Sequence, residues 1–389
     1  MFRYRQLLAD NKYKRKMYNN GILSSDSKKI LNSIPELISK TFPIPGKFRS
    51  ALPSDIAELS RLLTNNRGER SLSYLSRPNF LSAYLYYFLP WNLFRLCRLL
   101  PSLDIQLSAG KRITDLGSGP LTFVSALWIS RPDLRSVPLE FNCVDRVKPV
   151  LKAGKDFFSV LSAEANVWKI NFGESSRPSD MVCAVNMFNE QYDRISHNNS
   201  EELKMMAANA ANLMSRKAGK DACILTVEPG VPQSGRFISF LRSAFLELGH
   251  QPASPCTHNE SCPFSQGDRR QSKKWCHFAF ESIDAPKELQ RLSIAAKLPK
   301  DRLVLSYLLT KTGKERNEAA ERDIRVISDA FPLPGGKFGR YGCSAQGLVL
   351  LSGNKNRIEE LKSLSVFSPV TAADGKRDEK SGALILELE

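Results

Sequence analysis

Between Lys111 and Leu248, short apolar segments alternate with longer segments whose apolar residues recur at helical spacing. The apolar segments predict five strands, at Arg112–Leu116, Glu140–Val144, Asn166–Ile170, Met181–Val185 and Ala222–Val227. The other segments predict helices at Leu121–Ile129, Val147–Ser162, Glu201–Arg216 and Gly235–Leu248. Strands joined by helices in this way are typical of a parallel, doubly wound sheet. The alternation therefore predicts an α/β fold for the middle of the chain.

Two later segments extend this pattern. His277–Ser282 and Leu303–Thr310 alternate like strands, with a helix predicted at Pro286–Leu298 between them. Five parallel strands closed by two more form the usual architecture of class I methyltransferases. We therefore expect a Rossmann-like, class I methyltransferase-like domain over residues 109–312.

The two ends of the chain differ from this domain. Residues 1–108 show helical spacing, for example over Pro53–Leu63, and we expect an N-terminal helical region there. Residues 313–389 contain a Pro/Gly-rich stretch at Phe331–Arg340, which precedes two strand-like segments and one helical segment. These lie at Gly347–Leu351, Ala383–Leu388 and Arg357–Ser363. We expect residues 313–389 to form a small C-terminal region that contains strands.

A glycine loop, Asp115-Leu116-Gly117-Ser118-Gly119-Pro120, lies where the first predicted strand turns into the first helix. Glycines let the backbone approach a ligand closely, and the start of a helix offers free N–H donors. Asp145 ends the second predicted strand, where a carboxylate accepts hydrogen bonds from ribose hydroxyls. We therefore expect a nucleoside site lined by Asp115, Gly117, Ser118, Gly119, Pro120 and Asp145.

The ligand of this loop depends on the residues around its glycines. Dinucleotide sites have a third glycine three residues further on, whereas residue 122 is Thr. The order Asp-x-Gly-x-Gly favours S-adenosylmethionine instead. Alternatively, the loop preserves the fold without binding a ligand. Catalytic residues stay unassigned, since Cys183 lies in an apolar segment typical of a core and Glu228 either binds substrate or caps the next helix.

Four of the eight cysteines have polar neighbours. Cys256, Cys262 and Cys276 lie in a Cys-rich insertion over residues 251–278, and Cys343 follows in the C-terminal region. The other four lie singly in apolar segments and are expected in the core: Cys97, Cys143, Cys183 and Cys223. Four thiolates can bind zinc or an iron–sulfur cluster. Structural zinc sites favour close C-x2-C pairs, which are absent here, and a 4Fe–4S cluster is wide enough to take ligands from separated loops. Both centres, and four unrelated surface thiols, are compatible with the sequence.

The charge of the chain favours an anionic partner. Among 389 residues, 56 Lys+Arg face 40 Asp+Glu, which gives a formal charge of +16. Lys and Arg gain affinity for nucleic acids by releasing counterions from phosphates. Basic clusters at Lys12–Lys16, Arg269–Lys274 and Lys297–Arg302 fit a broad RNA surface better than a single helix in a DNA groove.

No segment predicts a membrane span or a secretory signal. Phe80–Leu100 is apolar, but Pro90, Arg95 and Arg98 leave its charge-free part shorter than the roughly 20 residues that a span requires. We expect a buried helix pair there. Met1–Asn20 is basic and polar and lacks an apolar stretch, and its lack of Ser makes it a poor mitochondrial presequence. The sparse cysteines indicate a reducing compartment.

Several stretches, in this order along the chain, resemble a known family. They are the glycine loop, Val227-Glu228-Pro229-Gly230, Pro255-Cys256-Thr257-His258 with Cys262-Pro263, and Trp275-Cys276-His277-Phe278. Together they are similar to the methyltransferase-like family of mitochondrial small-subunit ribosome assembly proteins and its bacterial relatives. The resemblance covers roughly residues 75–352, and the cysteine pattern is its specific part.

The resemblance implies a class I methyltransferase fold that carries a 4Fe–4S cluster. By motif position, the cluster ligands would be Cys256, Cys262, Cys276 and Cys343. Asp115, Gly117, Gly119 and Asp145 would line an S-adenosylmethionine pocket. Family members associate with the small ribosomal subunit and assist its maturation through contact with rRNA.

From this resemblance we expect a small-subunit assembly factor that binds rRNA and is a monomer when off the ribosome. The alternative is an active S-adenosylmethionine-dependent rRNA methyltransferase, so the sequence does not decide whether the protein is an enzyme. Because Met1–Asn20 is a poor presequence, we expect a bacterial-type cytoplasm, with the mitochondrial matrix as the alternative.

Overall fold

The computed structural model describes residues 13–16, 21–64, 74–163, 167–192, 195, 199–265, 274–313, 323–362, 364–369 and 375–388. For residues 13–16 and 367–369 it describes the backbone alone. In this part of the chain the strands form two sheets, and helices pack against them.

The strands are numbered in chain order. They are β1 (Tyr13–Lys16), β2 (Arg112–Leu116), β3 (Glu140–Val144), β4 (Lys169–Phe172), β5 (Ser179–Val185), β6 (Ala218–Pro229), β7 (His250–Ser254), β8 (Phe278–Glu281), β9 (Arg302–Thr312), β10 (Ile324–Val326), β11 (Phe331–Pro332), β12 (Phe338–Ser344), β13 (Gly347–Gly353), β14 (Val366–Pro369) and β15 (Leu384–Leu388).

The α-helices are numbered in the same way. They are α1 (Ser25–Thr41), α2 (Gly46–Arg49), α3 (Leu52–Thr64), α4 (Pro78–Ala83), α5 (Leu89–Leu99), α6 (Thr122–Ser130), α7 (Lys148–Ser162), α8 (Asn189–Tyr192), α9 (Ser200–Lys217), α10 (Pro232–Glu247), α11 (Lys287–Ala295) and α12 (Lys355–Glu360). A π-helical turn, Tyr84–Phe88, joins α4 to α5.

The first sheet has the strand order β4-β3-β2-β5-β6-β9-β7, and β8 pairs with β9 beside this path. Strands β2 to β6 pair in parallel. Strand β9 runs antiparallel to both β6 and β7. The five parallel strands are thus followed by one antiparallel strand, β9, and then by β7, which again runs parallel to them; this strand order confirms the predicted class I methyltransferase-like fold.

The strand that closes this sheet differs from the prediction. It is β7, the segment His250–Ser254, which the sequence analysis did not predict. Its sequence is polar and contains Pro252, which an edge strand tolerates because one side of its backbone has no partner strand. The predicted strand at His277–Ser282 is present as the shorter β8, beside β7 on the same partner.

The predicted buried helix pair at Phe80–Leu100 is a single helical segment instead. The π-helical turn connects α4 directly to α5, so the helical backbone is continuous. Pro90 lies in the first turn of α5. Proline has no N–H to donate to the preceding turn, and Pro90 comes just after the π-helical turn, where the regular helical hydrogen bonding already changes. No helix in the described ranges is long and apolar enough to cross a membrane.

The N-terminal helices pack directly on the methyltransferase-like domain. The Cys97 thiol on α5 donates to the Ala126 carbonyl at 3.6 Å, and the Ser27 hydroxyl on α1 donates to the Ile129 carbonyl at 3.0 Å. Every residue of α6 is buried as a result. One strand, β1, also lies within residues 1–108, for which the sequence predicts a helical region, and it pairs with β14.

The second sheet has the order β1-β14-β10-β12-β13-β15, and β11 pairs with β12. Its pairings are antiparallel except that of β13 with β15. The predicted strands at Gly347–Leu351 and Ala383–Leu388 are β13 and β15. This sheet has its own apolar core, which includes Ile324, Val349 and Ile358. The boundaries 1–108, 109–312 and 313–389 stay a prediction.

Candidate functional site

The glycine loop lies at the carboxyl edge of the first sheet, between β2 and α6. Gly117 and Gly119 have φ values of +66° and +53°, a region that L side chains rarely adopt. The N–H groups of Gly117 and Ser118 both donate to the Val144 carbonyl, at 2.8 and 3.1 Å. The loop is thereby tied to the end of β3, which is the strand that precedes Asp145.

Asp145 bridges the glycine loop and the next helix. Its Oδ2 accepts from the Gly119 N–H and its Oδ1 from the Val147 N–H, both at 2.9 Å. A carboxylate at this edge lies where the ribose of a nucleoside binds in open α/β sheets. The structure therefore brings Gly117, Ser118, Gly119 and Asp145 together, and their role in binding a nucleoside stays a prediction.

The two glycines differ in the space around them. A Cβ on Gly119 would meet no atom within 4 Å, whereas a Cβ on Gly117 would lie 2.5 Å from Cγ of Met187. On the other side, a Cβ on Gly154 of α7 would lie 2.4 Å from the carbonyl carbon of Pro120. The loop is therefore packed by α7 and by Met187, and it is open at Gly119.

Asp115 lies beneath the loop rather than in the open space. Its side chain is 1% exposed, and its Oδ1 accepts from the Cys183 thiol at 3.4 Å. Its Oδ2 has no hydrogen-bond partner among the described residues. Burial raises the pKa of Asp115 to about 7, against hydrogen bonds that lower it. Asp115 is thus a support of the loop, and Cys183 is the buried core thiol that the sequence predicts.

Glu228, at the end of β6, has a different role from either predicted one. It is fully buried, and its carboxylate accepts from the N–H groups of Phe188 and Asn189, each at 3.0 Å. It also accepts from the Tyr192 hydroxyl at 2.9 Å. Glu228 therefore caps α8, which precedes it in the chain, and holds the loop after β5 in place.

The N-terminal helices reach the carboxyl edge of the first sheet. The Tyr74 hydroxyl donates to Oε1 of Glu190 at 3.0 Å, and Arg146 pairs with the other oxygen of Glu190 at 2.7 Å. Arg95 on α5 donates to Oδ1 of Asn186, the residue after β5, at 3.1 Å. The sequence analysis missed these residues, although a charged residue inside the apolar segment Phe80–Leu100 was a signal for Arg95.

The four polar-flanked cysteines lie near one another. Burial raises the pKa of Cys343 well above its ordinary value, and the charges of the other three raise it further: Cys262, Cys256 and Cys276. Burial and the charges of Cys256 and Cys262 act on Cys276 in the same direction. The loop after β7, the segment before β8 and strand β12 supply these thiols. The structure therefore brings together residues that lie far apart in the sequence.

Two buried arginines fix the segments that carry these thiols. Arg242 on α10 donates to the carbonyls of His258 and Glu260, both at 2.7 Å. Arg325 on β10 donates to the Pro255 carbonyl at 2.8 Å and pairs in register with Cys343. The positive charges of both arginines lower the pKa of Cys276, and that of Arg242 also lowers the pKa of Cys343; burial raises both pKa values.

His258 and His277 have separate surroundings. The Nε2 atom of His258 lies 3.4 Å from Sγ of Cys343, so this histidine is a hydrogen-bond partner of a candidate ligand. The ring of His277 stacks on Trp275, and its Nδ1 lies 3.0 Å from the Trp275 carbonyl. Within the described ranges, no three His, Cys, Asp or Glu side chains are close enough to hold a metal ion.

Comparison with known proteins gives a family and a set of distant folds. The family model for the mitochondrial small ribosomal subunit protein Rsm22 matches residues 110–331, more than half of the chain. No curated protein matches the chain.

Three solved structures illustrate the likeness of fold. An S-adenosylmethionine-dependent methyltransferase of Thiobacillus denitrificans in complex with S-adenosyl-L-homocysteine is 13% identical, with a TM-score of 0.32 over 58% of this chain and 92% of that one. One of Geobacter sulfurreducens in the same kind of complex is 10% identical, with a TM-score of 0.31 over 66% and 98%. A methyltransferase of Pyrococcus furiosus is 7% identical, with a TM-score of 0.30 over 54% and 78%.

At such low identities and TM-scores, the strand order of the first sheet identifies the fold, and the family model identifies the relatives. The order of β2 to β9 is that of a methyltransferase-like domain. The family match runs from just before β2 to the first residue of β11. The chain therefore belongs to the family of the mitochondrial small ribosomal subunit protein Rsm22, as a methyltransferase-like protein related to the small ribosomal subunit.

Proposed function

We propose that this protein binds rRNA of the small ribosomal subunit and assists the assembly of that subunit. In this proposal the methyltransferase-like domain holds S-adenosylmethionine at the glycine loop, and Cys256, Cys262, Cys276 and Cys343 hold a 4Fe–4S cluster. The observation that carries the proposal is the convergence of these four thiols from three separate segments, in a member of a ribosomal family.

The chemistry of the four thiols suits an iron–sulfur cluster. Thiolates are the ligands of such clusters, and without a metal, burial and the charges of the neighbouring thiolates raise the pKa of Cys343. A bound metal reverses this effect, because a coordinating thiol is deprotonated. Thiols around a four-iron cluster stand farther apart than those around one zinc ion, whose Zn–S bonds are about 2.3 Å long. The wide spacing of the four cysteines along the chain, without a C-x2-C pair, favours the cluster over zinc.

The fold makes the cluster a structural link in this proposal. Cys343 belongs to the second sheet, whereas Cys256 and Cys276 flank strands of the first. A cluster on these ligands would join the C-terminal region 313–389 to the insertion 251–278. Its negative charge would be compensated by Arg242 and Arg325, which face the thiols from two elements.

The surface beside the thiols has the features of an RNA contact. The Lys274 ammonium lies 4.1 Å from the centre of the Tyr341 ring, and the Tyr341 and Phe331 rings lie 5.0 Å apart. These rings are partly exposed, and unpaired bases stack on such surfaces. The basic residues Arg269, Arg270 and Lys273, which the sequence analysis assigned to this face, lie outside the described residues.

The glycine loop suits S-adenosylmethionine in two respects. The backbone is open at Gly119, and the Asp145 carboxylate lies beside it to accept the ribose hydroxyls. The bound cofactor would supply a methyl group for transfer. The alternative function is therefore rRNA methylation at this site.

The family description names the mitochondrial ribosome, which favours the mitochondrial matrix over a bacterial-type cytoplasm. We further propose that the protein is a monomer when off the ribosome.

Sedimentation with small ribosomal subunits tests the proposed function. The wild-type protein, purified without oxygen, should pellet with purified small subunits, and Cys262→Ser should lose most of this association. Cys223→Ala, which alters a buried cysteine of β6 outside the thiol group, should retain it. A wild-type protein that stays in the supernatant would contradict the proposal. Transfer of a labelled methyl group from S-adenosylmethionine to the same subunits would establish the alternative.

A further inference from the structure

The guanidinium of Arg95 lies at the carboxyl edge of the first sheet and forms no direct ion pair among the described residues. Burial lowers its pKa, although the charge of Glu228 acts on it and raises its pKa. It donates to the Val304 carbonyl at 3.0 Å, to Oδ1 of Asn92 at 2.8 Å and to Oδ1 of Asn186 at 3.1 Å. All three acceptors are neutral. The ion pairs among the described residues do not include Arg95.

The hydrogen bonds of Arg95 leave donors unused. A guanidinium has five N–H donors, and three of them are engaged. Its Nε is buried and has no partner among the described residues. Arg95 is half-buried, and a guanidinium that is partly removed from water gains from an anionic partner. The Glu228 carboxylate, whose charge acts on Arg95, already accepts hydrogen bonds from Phe188, Asn189 and Tyr192, so Arg95 keeps donors for a second anionic group.

Arg95 also lies near the glycine loop, beside the segment that carries Met187. Asn186, which accepts its hydrogen bond, has a φ of +52° and precedes Met187, the residue that packs on Gly117. On the other side, Arg95 interacts with Tyr84, whose pKa is raised by burial and by the charges of Glu190 and Asp145. Tyr84 begins the π-helical turn, a geometry frequent at functional sites.

The strand order sets the distance between the two ends of this cleft. Asp145 follows β3 and Asn186 follows β5, and these strands flank β2 with its glycine loop. Neighbouring strands lie about 4.8 Å apart, so the two residues are separated by roughly 10 Å. This is comparable to the length of a nucleoside that carries an amino acid on its 5′ carbon. With the ribose at Asp145, the amino acid would reach the side of Arg95.

We infer that Arg95 binds the carboxylate of the amino-acid part of the cofactor. This inference rests on the proposed binding of S-adenosylmethionine, whose only anionic group is that carboxylate. A guanidinium and a carboxylate form strong, charge-assisted hydrogen bonds. The N-terminal helical region, which lies outside the family match, would thereby complete the cofactor site. Arg95 would also discriminate between nucleosides with and without an amino acid.

Calorimetric titration of the wild-type protein with two ligands gives the first test. S-adenosylhomocysteine contains the carboxylate, and methylthioadenosine has the same nucleoside without the amino acid. We expect S-adenosylhomocysteine to bind at least about tenfold more tightly, as charge-assisted hydrogen bonds of about 1.5–3 kcal/mol require. An S-adenosylhomocysteine derivative with a carboxamide in place of the carboxylate should lose this advantage. Equal affinities for the acid and the amide would overturn the inference, with no variant needed.

The variant Arg95→Gln gives the second test. It should weaken the binding of S-adenosylhomocysteine about tenfold or more and leave that of methylthioadenosine nearly unchanged. Arg135→Gln, at the opposite edge of the sheet, should change neither affinity. If Arg95→Gln lowers both affinities equally, Arg95 supports the fold and does not bind the carboxylate. If neither ligand binds the wild-type protein, the proposed cofactor itself is wrong.

Discussion

The N–H group of Gly119 donates a hydrogen bond to the carboxylate of Asp145 at 2.9 Å. One residue belongs to the turn after β2 and the other to the turn after β3. The second oxygen of the carboxylate accepts from the Val147 N–H, so a single side chain fixes the geometry of both turns. A ligand that approaches Gly119 therefore meets an oriented carboxylate.

Replacement of Asp145 tests whether this carboxylate binds ribose. Asp145→Asn keeps an acceptor oxygen for the loop but removes the negative charge. We expect the affinity for S-adenosylhomocysteine to fall about tenfold to hundredfold, the loss that hydrogen bonds to a charged acceptor predict. Glu140→Gln, at the other end of β3, is the matched control and should bind as the wild type does. Equal binding by Asp145→Asn would exclude the carboxylate from the site.

Much of the α/β domain could be predicted because its central strands are buried on both faces. Arg112–Leu116 and Glu140–Val144 were predicted with the ends that the structure shows, and most residues of both strands are buried. Edge strands have a weaker signal. The exposed β4 lies at Lys169–Phe172 rather than at Asn166–Ile170, and β7 was missed because a polar sequence forms it.

The candidate site could be predicted only in part. The glycine loop and Asp145 belong to a local pattern that the sequence contains. Arg95 and Arg242 come to their sites through tertiary packing of helices α5 and α10, which no spacing in the sequence reports. Glu228 was correctly placed at the end of a strand, but its partners depend on how the loop after β5 folds back.

Glu228 should stabilise the folded protein. Glu228→Ala would leave the N–H groups of Phe188 and Asn189 without their acceptor in a buried site. Each unsatisfied group costs about 1–3 kcal/mol, so the free energy of unfolding should fall by about 2–5 kcal/mol. Urea denaturation followed by circular dichroism measures this change. Glu247→Ala, at an exposed position near the end of α10, should change it little. A similar small change for Glu228→Ala would show that the cap is dispensable.

Asp115 should make stability depend on pH. Burial raises its pKa from the ordinary 3.8 to about 7 in the folded protein. Between about pH 4 and about pH 7 the folded protein therefore holds a proton that the unfolded chain has released, so stability falls as the pH rises through this window. Asp115→Asn cannot ionise and should lack this dependence. The wild type should lose about 4 kcal/mol relative to Asp115→Asn across the window. Parallel stability curves for the two proteins would contradict this account of Asp115.

Lys274 should contact RNA phosphate. For a binding site on single-stranded RNA, the logarithm of affinity falls with the logarithm of salt concentration by about 0.7 for each phosphate neutralised. Lys274→Gln should therefore reduce this slope by about that amount and weaken binding to all RNA sequences alike. Lys204→Gln, on the exposed face of α9, is the control and should leave the slope unchanged. Equal slopes for Lys274→Gln and the wild type would remove Lys274 from the RNA surface.

The most direct test of the account is the content of iron, acid-labile sulfide and zinc per chain after purification without oxygen. We predict about four irons and four sulfides, as a 4Fe–4S site requires, and no zinc. Cys276→Ser should lose this iron, and Cys223→Ala should keep it. A wild-type protein that contains one zinc, or no metal at all, would contradict the assignment of Cys256, Cys262, Cys276 and Cys343 as cluster ligands.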